Sequence, residues 1–205
     1  VNAKYLIAFR GYDDEFDTDF GWSGKVQFLV GLRDSAVADI SSSNGFESDN
    51  DADGSALTPV TKPTFSNATL YGPLTVTETL PANHLYKRAM QLRRCSQFSV
   101  YNSGFVGWPN GLMLAGTLGN TPTAADNNDL QIERSILAGM AANYEAASGT
   151  PATPYSITQI EAYYTSAERN NSINTLSEII GTSLISLTSP VLLPDAGSSS
   201  LTGAS

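Results

Sequence analysis

A short frame that ends in glycine recurs along the chain and constrains the fold more than any other feature of the sequence. Within it an apolar residue stands two positions before an Asn or Arg, a small residue follows, and a second apolar residue precedes the final glycine. Three copies match residue for residue, and they are FSNATLYG (65–72), VYNSGFVG (100–107) and IERSILAG (132–139). VNAKYLIAFRG (1–11) is a looser copy, and KVQFLVG (25–31) matches only in being strand-like and ending in glycine.

The spacing of this frame predicts a solenoid of short strands. The terminal glycines stand at positions 11, 31, 72, 107 and 139, at intervals of 20 to 41 residues. Self-similarity at such a period is typical of repeat architectures, and short strands separated by Gly and Asn turns agree with one. We therefore predict an all-β fold, a right-handed parallel β-helix that forms a partial solenoid. A β-sandwich, which also has short strands, is the alternative.

The frame also predicts which residues form strands and which of them point inward. The predicted strands span residues 3–9, 25–31, 65–71, 98–106 and 130–138. A slip of one residue would turn the apolar side chains outward, so they should stack in one inward column. The members of this predicted column are Leu6, Leu70, Phe105 and Leu137. Residues 117–128, rich in Thr and Asn, are predicted to be a loop.

The sequence becomes helical in character towards its C-terminal end. Ser156 and Gln159 have the spacing of a capping box, and apolar residues at helical intervals follow, which predicts a helix over 157–168. The helical spacing repeats over 173–181 and predicts a second short helix. Residues 140–181 are therefore expected to be a helical insertion in the solenoid or a cap on it.

The acidic residues are concentrated in one stretch. Eleven of the twenty carboxylates lie between Asp13 and Asp53, and only Lys25 and Arg33 oppose them there. The charge of this stretch, 2 − 11 = −9, therefore equals the net charge of the whole chain. A nucleic-acid partner is not expected, because a phosphate backbone requires a basic face. Direct membrane insertion is not expected either, because no apolar run reaches the roughly 18 residues of a membrane span. Cations and cationic partners are the natural complement.

One part of the acidic stretch resembles the start of a calcium loop. Asp49, Asp51 and Asp53 alternate, and Gly54 follows them. The twelfth position is Val60 rather than Glu, so this is not an EF-hand and other ligands are needed. Stacked coils bring successive loops to one edge, which points to the earlier acidic loop. The predicted metal ligands are Asp14, Asp17, Asp19, Asp49, Asp51 and Asp53. The alternative is two solvated acidic loops that bind nothing.

Two kinds of polysaccharide chemistry are alternatives to simple binding. Glycoside hydrolysis needs two carboxyl groups a few ångströms apart. Candidates for such a pair are Asp14, Asp17, Asp19 and Asp49. A lyase would need a cationic base, and the basic cluster consists of Lys87, Arg88, Arg93 and Arg94. The single histidine, His84, and the single cysteine, Cys95, do not supply the ligands of a zinc site.

Several stretches resemble a known family. They are VNAKYLIAFRGYDDEFDTDFGWSGKVQF, NGFESDND, LRRCSQFSVYNSGFVGWPNGLML and LLPDAGSSSLTGAS, and they are similar to secreted or cell-surface right-handed β-helix proteins of the Bacteroidota. These proteins are pectin-lyase-like in architecture, and no function has been characterised for them. The resemblance implies an extracellular or cell-surface (outer-membrane exterior) location. It also implies that residues 1–205 are one β-helix segment of a longer chain. It supplies no catalytic residues.

The sequence therefore favours a non-enzymatic surface or secreted β-helix protein, stabilised by calcium. Its expected partners are a glycan or a surface protein complex, in adhesion or in assembly of that complex. The aromatic candidates for stacking on sugar rings are Tyr12, Phe20, Trp22 and Trp108. The alternative is a polysaccharide lyase or glycoside hydrolase on the same scaffold, because a fold does not settle a function. An open groove with facing carboxylates or arginines would favour the enzyme.

Overall fold

A computed structural model describes residues 1–79, 81, 85–148 and 155–201, and His84 lies outside them. It consists of short strands with a few short helices between them. The strands are β1 (Ala3–Phe9), β2 (Phe16–Thr18), β3 (Lys25–Leu32), β4 (Phe46–Ser48), β5 (Thr64–Tyr71), β6 (Arg88–Leu92), β7 (Ser99–Tyr101), β8 (Gly104–Val106), β9 (Asn110–Leu114), β10 (Gln131–Glu133), β11 (Ile136–Ala138), β12 (Ala142–Tyr144) and β13 (Ser172–Asn174). The α-helices are α1 (Thr121–Asp126), α2 (Ile157–Tyr164) and α3 (Ser177–Ile180), with 3-10 turns at Pro73–Thr75, Ala167–Arg169 and Ser199–Leu201.

The strands form two parallel sheets through which the chain passes alternately. The first sheet has the order β1-β3-β5-β8-β11-β13, and β7 and β10 extend it beside the first half of β5. The second sheet has the order β2-β4-β6-β9-β12. Each pairing between these strands is parallel. The predicted parallel β-helix is therefore confirmed, and the β-sandwich is excluded.

One left-handed residue bends each coil of the first sheet. These residues have φ between 50° and 62°, and they are Tyr5, Phe28, Asn67, Asn102, Arg134 and Asn170. The pairing registers on either side of them place them in one column along the solenoid. Asn tolerates this conformation better than most residues do. The column explains the Asn or Arg in the repeated frame, and it divides each of the predicted strands 98–106 and 130–138 into two.

The inward column was predicted correctly at three of its four positions. Leu70, Phe105 and Leu137 pair in register and are fully buried. The prediction for Leu6 is wrong. Leu6 pairs with Leu29, outside the column, and lies on β1, the end strand of the sheet, where it is 36% exposed. The apolar positions of neighbouring coils build the main core, and a ring cluster around Phe46 fills its centre.

The helical predictions hold in part. The capping box of Ser156 is present, and it opens α2 within the predicted range 157–168. The predicted helix at 173–181 is wrong at its start, because β13 pairs with β11 there and only α3 is helical. The predicted loop at 117–128 contains α1, which has a proline in its first turn. The range 140–181 contains α2 and α3 and also β12 and β13, which continue the two sheets.

We predict that replacing Leu70 with Ala lowers the free energy of unfolding by about 2–5 kcal/mol, because a fully buried leucine leaves a cavity. The matched control is Leu57→Ala, since Leu57 is 62% exposed and the same change there should cost about 0.5 kcal/mol or less. Urea denaturation of both variants measures the difference. Equal losses would contradict the assignment of Leu70 to the inward column.

Candidate functional site

The acidic stretch and the basic cluster meet on the outer face of the second sheet. Asp17, Glu47 and Gln91 lie in one row, because β2 pairs with β4 and β4 with β6. The ladder continues as the Asp49 N–H donates to the carbonyl of Thr18. The two acidic segments, predicted as neighbouring loops, thus include neighbouring strands. We define the charged face as Asp17, Asp19, Glu47, Asp49, Arg88, Gln91, Arg93, Arg94 and Glu145.

Ion pairs hold the arginines of the charged face in fixed orientations. Arg93 Nε lies 2.8 Å from Asp49 Oδ1, and its Nη2 pairs with Glu47. Arg94 Nη1 lies 2.7 Å from Asp49 Oδ2. Arg88 Nε donates to Glu145 at 2.9 Å. Charge-assisted pairs of this kind are stronger than neutral hydrogen bonds and impose a geometry.

The side-chain amide of Gln91 joins these pairs into one network. Its oxygen accepts a hydrogen bond from Arg88, and its nitrogen donates to Glu47. The network borders a groove of about 320 Å³ above β6 and β9. Its lining includes Arg88, Gln91, Arg93, Arg94, Met113 and Ala115. The charged face therefore borders an open groove, whose lining includes its arginines and Gln91, rather than a smooth edge.

Burial, and after it the crowding of the carboxylates, raises the pKa values of the acidic residues on this side of the molecule. Burial raises the pKa of Glu47 to about 7, although Arg93 opposes the shift, and Asp14, Asp49 and Asp17 add to it. Burial also raises the pKa of Asp14 to about 6, against the hydrogen bond from Asn44. The same causes, burial followed by neighbouring carboxylates, raise the pKa values of Asp17 and Asp19. Glu47 is thus part protonated near neutral pH.

Part of the predicted calcium ligand set is brought together. Asp14, Asp17, Asp19 and Asp49 lie close enough to influence one another. The charge of Asp17 helps to raise the pKa of Asp14, and the charge of Asp49 helps to raise the pKa values of Asp17 and Asp19. However, both carboxylate oxygens of Asp49 are already paired with arginines. Asp14 Oδ1 likewise accepts from the backbone and side chain of Asn44.

The other part of the predicted ligand set lies in a local turn. Asp51 accepts hydrogen bonds from the backbone N–H groups of Asp53 and Ser55 and from the Ser55 hydroxyl, the last at 2.6 Å. That hydroxyl is the main reason why the pKa of Asp51 is lowered. Across the part of the chain that the structure describes, three or more His, Cys, Asp or Glu residues nowhere form a group that could hold a metal ion. The calcium site therefore stays a prediction.

The aromatic candidates for sugar stacking separate into two groups. Trp108 is fully buried and donates from its indole to the carbonyl of Leu70, so it is not a sugar platform. Trp22 is half-buried and packs against the core. Tyr12 and Phe20 are 66% and 72% exposed. Sequence reasoning missed Glu47 and Glu145 on the charged face and Gln91 and Met113 in the groove, because their positions depend on a pairing register that the sequence does not reveal.

The two stacked parallel sheets define a parallel β-helix with an open charged groove on one of its faces. The chain belongs to the family described as pectate-lyase like beta helix domain, which it matches over residues 1–178. Comparison with curated proteins and with solved structures gave no match. None of the helices among the described residues has the length and apolar character to cross a membrane.

A melting experiment tests the calcium prediction. A bound ion adds about 2.7 kcal/mol of stability at a hundredfold excess over Kd, so chelation with EDTA should lower the melting temperature of the calcium-loaded protein. Asp17→Asn should reproduce part of that loss in calcium. Without calcium the same change should be neutral or stabilising, because it removes repulsion. The exposed Glu168→Gln is the control. A melting temperature that neither EDTA nor calcium changes would contradict the site.

Proposed function

We propose that this chain is a non-enzymatic β-helix module, on the cell surface or secreted, that contacts glycans through the charged face. The observation that carries the proposal is the groove in which Gln91 and three arginines are held by carboxylates. Side chains that are already ordered lose little entropy when they bind a ligand. Glycan contact of this kind would serve adhesion or the assembly of a surface protein complex.

The chemistry of the groove suits a polyhydroxylated ligand. The exposed carboxylate of Asp17, next to the groove, can accept hydrogen bonds from hydroxyl groups, and the guanidinium of Arg88 can donate to hydroxyl oxygens. Met113 and Ala115 add an apolar part to the lining of the groove, against which the C–H face of a sugar ring can pack.

The charge of the face sets the expected order of ligands. Five carboxylates and three arginines leave the charged face with a negative balance, and the chain is negative as a whole. A carboxylated glycan would be repelled unless cations intervened, and a glycan with amino groups would be attracted. We therefore expect retention to fall from amino-substituted to neutral to carboxylated glycans.

The surface or secreted location is a proposal that rests on two features of the sequence. The chain has four lysines but many Ser, Thr, Asn and Gly residues, a composition typical of secreted bacterial proteins. The stretches similar to surface proteins of the Bacteroidota point in the same direction. Detection of the protein on intact cells or in the culture medium, with a cytosolic marker as control, tests the location.

Replacing Arg88 with Met tests the charged face. The change removes a guanidinium that lines the groove, and a hydrogen bond to a charged group is worth about 1.5–3 kcal/mol. We expect the variant to be retained on chitosan at least roughly tenfold more weakly than the wild type, as measured by affinity gel electrophoresis. The matched control is Lys87→Met, which removes the same charge at an adjacent position that does not line the groove. Net charge alone would instead raise the retention of both variants on this cationic polymer, because each variant loses one positive charge. An equal change in both variants, in either direction, would contradict the proposal.

Glycoside hydrolysis is the second candidate, and it is favoured by the open groove with its arginines and by the raised pKa of Glu47. Glu47, whose pKa burial raises to about 7, stands beside Asp49, whose two carboxylate oxygens pair with Arg93 and Arg94. Glycoside hydrolysis needs two neighbouring carboxyl groups, and a raised pKa suits the one that acts as the acid. This candidate predicts new reducing ends from a retained glycan, lost in Glu47→Gln but kept in Glu168→Gln. Binding without any release of reducing ends would exclude it.

A further inference from the structure

A second groove, of about 430 Å³, runs along the column of left-handed residues on the first sheet. We call it the corner groove, and its polar wall consists of Asn67, Asn102, Arg134 and Asn170. Its apolar wall includes Ile179, Leu192 and Pro194. We propose that the corner groove binds one extended chain of an uncharged polysaccharide. This site is separate from the charged face and takes a different ligand.

The spacing of the polar wall selects the class of ligand. Each coil contributes one side chain to this wall, and paired strands lie about 4.8 Å apart, so hydrogen-bonding groups repeat at that interval. In an extended peptide, groups on the same side of the backbone recur every two residues, about 6.8 Å apart. They would lose register with the side chains of the polar wall after one coil. One pyranose residue of an extended polysaccharide spans about one coil interval. The repeat therefore fits a sugar chain and not a peptide.

The floor of the groove is open. It is the row Thr69, Gly104, Ile136 and Ser172, whose members pair in register on four neighbouring strands. Nothing lies within 4 Å of the position that a Cβ of Gly104 would occupy. The missing side chain leaves space between a threonine and an isoleucine where a sugar ring can approach the sheet. Hydroxyl groups flank an apolar centre, as a sugar ring requires.

The apolar wall is fixed in place by the C-terminal segment. The hydroxyl of Tyr71 donates to the carbonyl of Leu192 at 3.0 Å, and the N–H of Asp195 donates to the carbonyl of Ile179 at 3.1 Å. The first bond ties the C-terminal segment to a strand of the solenoid, and the second joins two parts of that segment to each other. Both walls of the groove are therefore in place before any ligand arrives, which limits the entropic cost of binding.

The charges around the groove favour an uncharged ligand. Arg134 is the one charged residue of its described lining. Its Nη2 lies 3.6 Å from Glu133 and its Nε donates to Asn102 at 3.2 Å, so a carboxylate already compensates its charge. Amides and hydroxyls make up the rest of the polar surface. This contrasts with the charged face, where carboxylates repel acidic glycans.

Filling the floor tests the proposal. In affinity gel electrophoresis we use hydroxyethyl cellulose, xylan, mannan and dextran as probes, and we expect at least one of them to retard the wild-type protein. Gly104→Leu should weaken that retardation at least tenfold without lowering the melting temperature, because the added side chain enters open space. Gly197→Leu is the matched control, since Gly197 is also surrounded by open space but does not line the groove.

The same experiment separates this site from the charged face. Arg88→Met should keep the retardation on the uncharged polymer, and Gly104→Leu should keep the retention on chitosan. Thr69→Leu narrows the same floor row and replaces Gly104→Leu if that variant melts lower than the wild type. Retardation by none of the four polymers overturns the proposal. So does equal retardation of the wild type and of the folded floor variants.

Discussion

The left-handed residue in each coil of the first sheet is the constraint on which the rest of the structure depends. An ordinary residue pays roughly 1–2 kcal/mol to adopt this conformation, and every coil pays it at the same place. The cost is offset because the bend lets neighbouring coils stack in register and bury a continuous core. In the first two coils the left-handed residues are Tyr5 and Phe28, whose rings stack 5.2 Å apart. In the next two coils they are Asn67 and Asn102.

A buried ion pair connects this stack to the acidic side of the molecule. Glu15, which precedes β2 of the second sheet, lies 3.0 Å from Arg33, which follows β3 of the first, and both side chains are fully buried. Arg33 also binds the carbonyl of Asp13 and lies over the ring of Tyr86. Burial nevertheless raises the pKa of Glu15 to about 7. The pair fixes where the acidic segment enters the second sheet, and so fixes the edge of the charged face.

The sequence predicted the first sheet far better than the second, for physical reasons. The first-sheet coils carry a repeated apolar pattern around a residue with a special backbone conformation, and both leave a trace in the frame. Strands such as β2 and β4 are three residues long, too short for periodicity, and lie within acidic segments. The pairing of Glu47 with Arg93 depends on the register between them. The Asp51 turn looked like a calcium loop because the same spacing also suits local hydrogen bonds to Ser55.

The most direct test of the charged face as the ligand-binding surface is methyl NMR of the three methionines during a titration with chitosan oligosaccharide. Met113 lines the groove. Met90, which belongs to the neighbouring strand β6, is fully buried, and Met140 packs against the core elsewhere. With resonances assigned by Met→Leu variants, the account predicts that the Met113 methyl shifts with saturation and that the other two stay in place. Saturable binding that leaves Met113 unchanged, or that shifts all three alike, would contradict it.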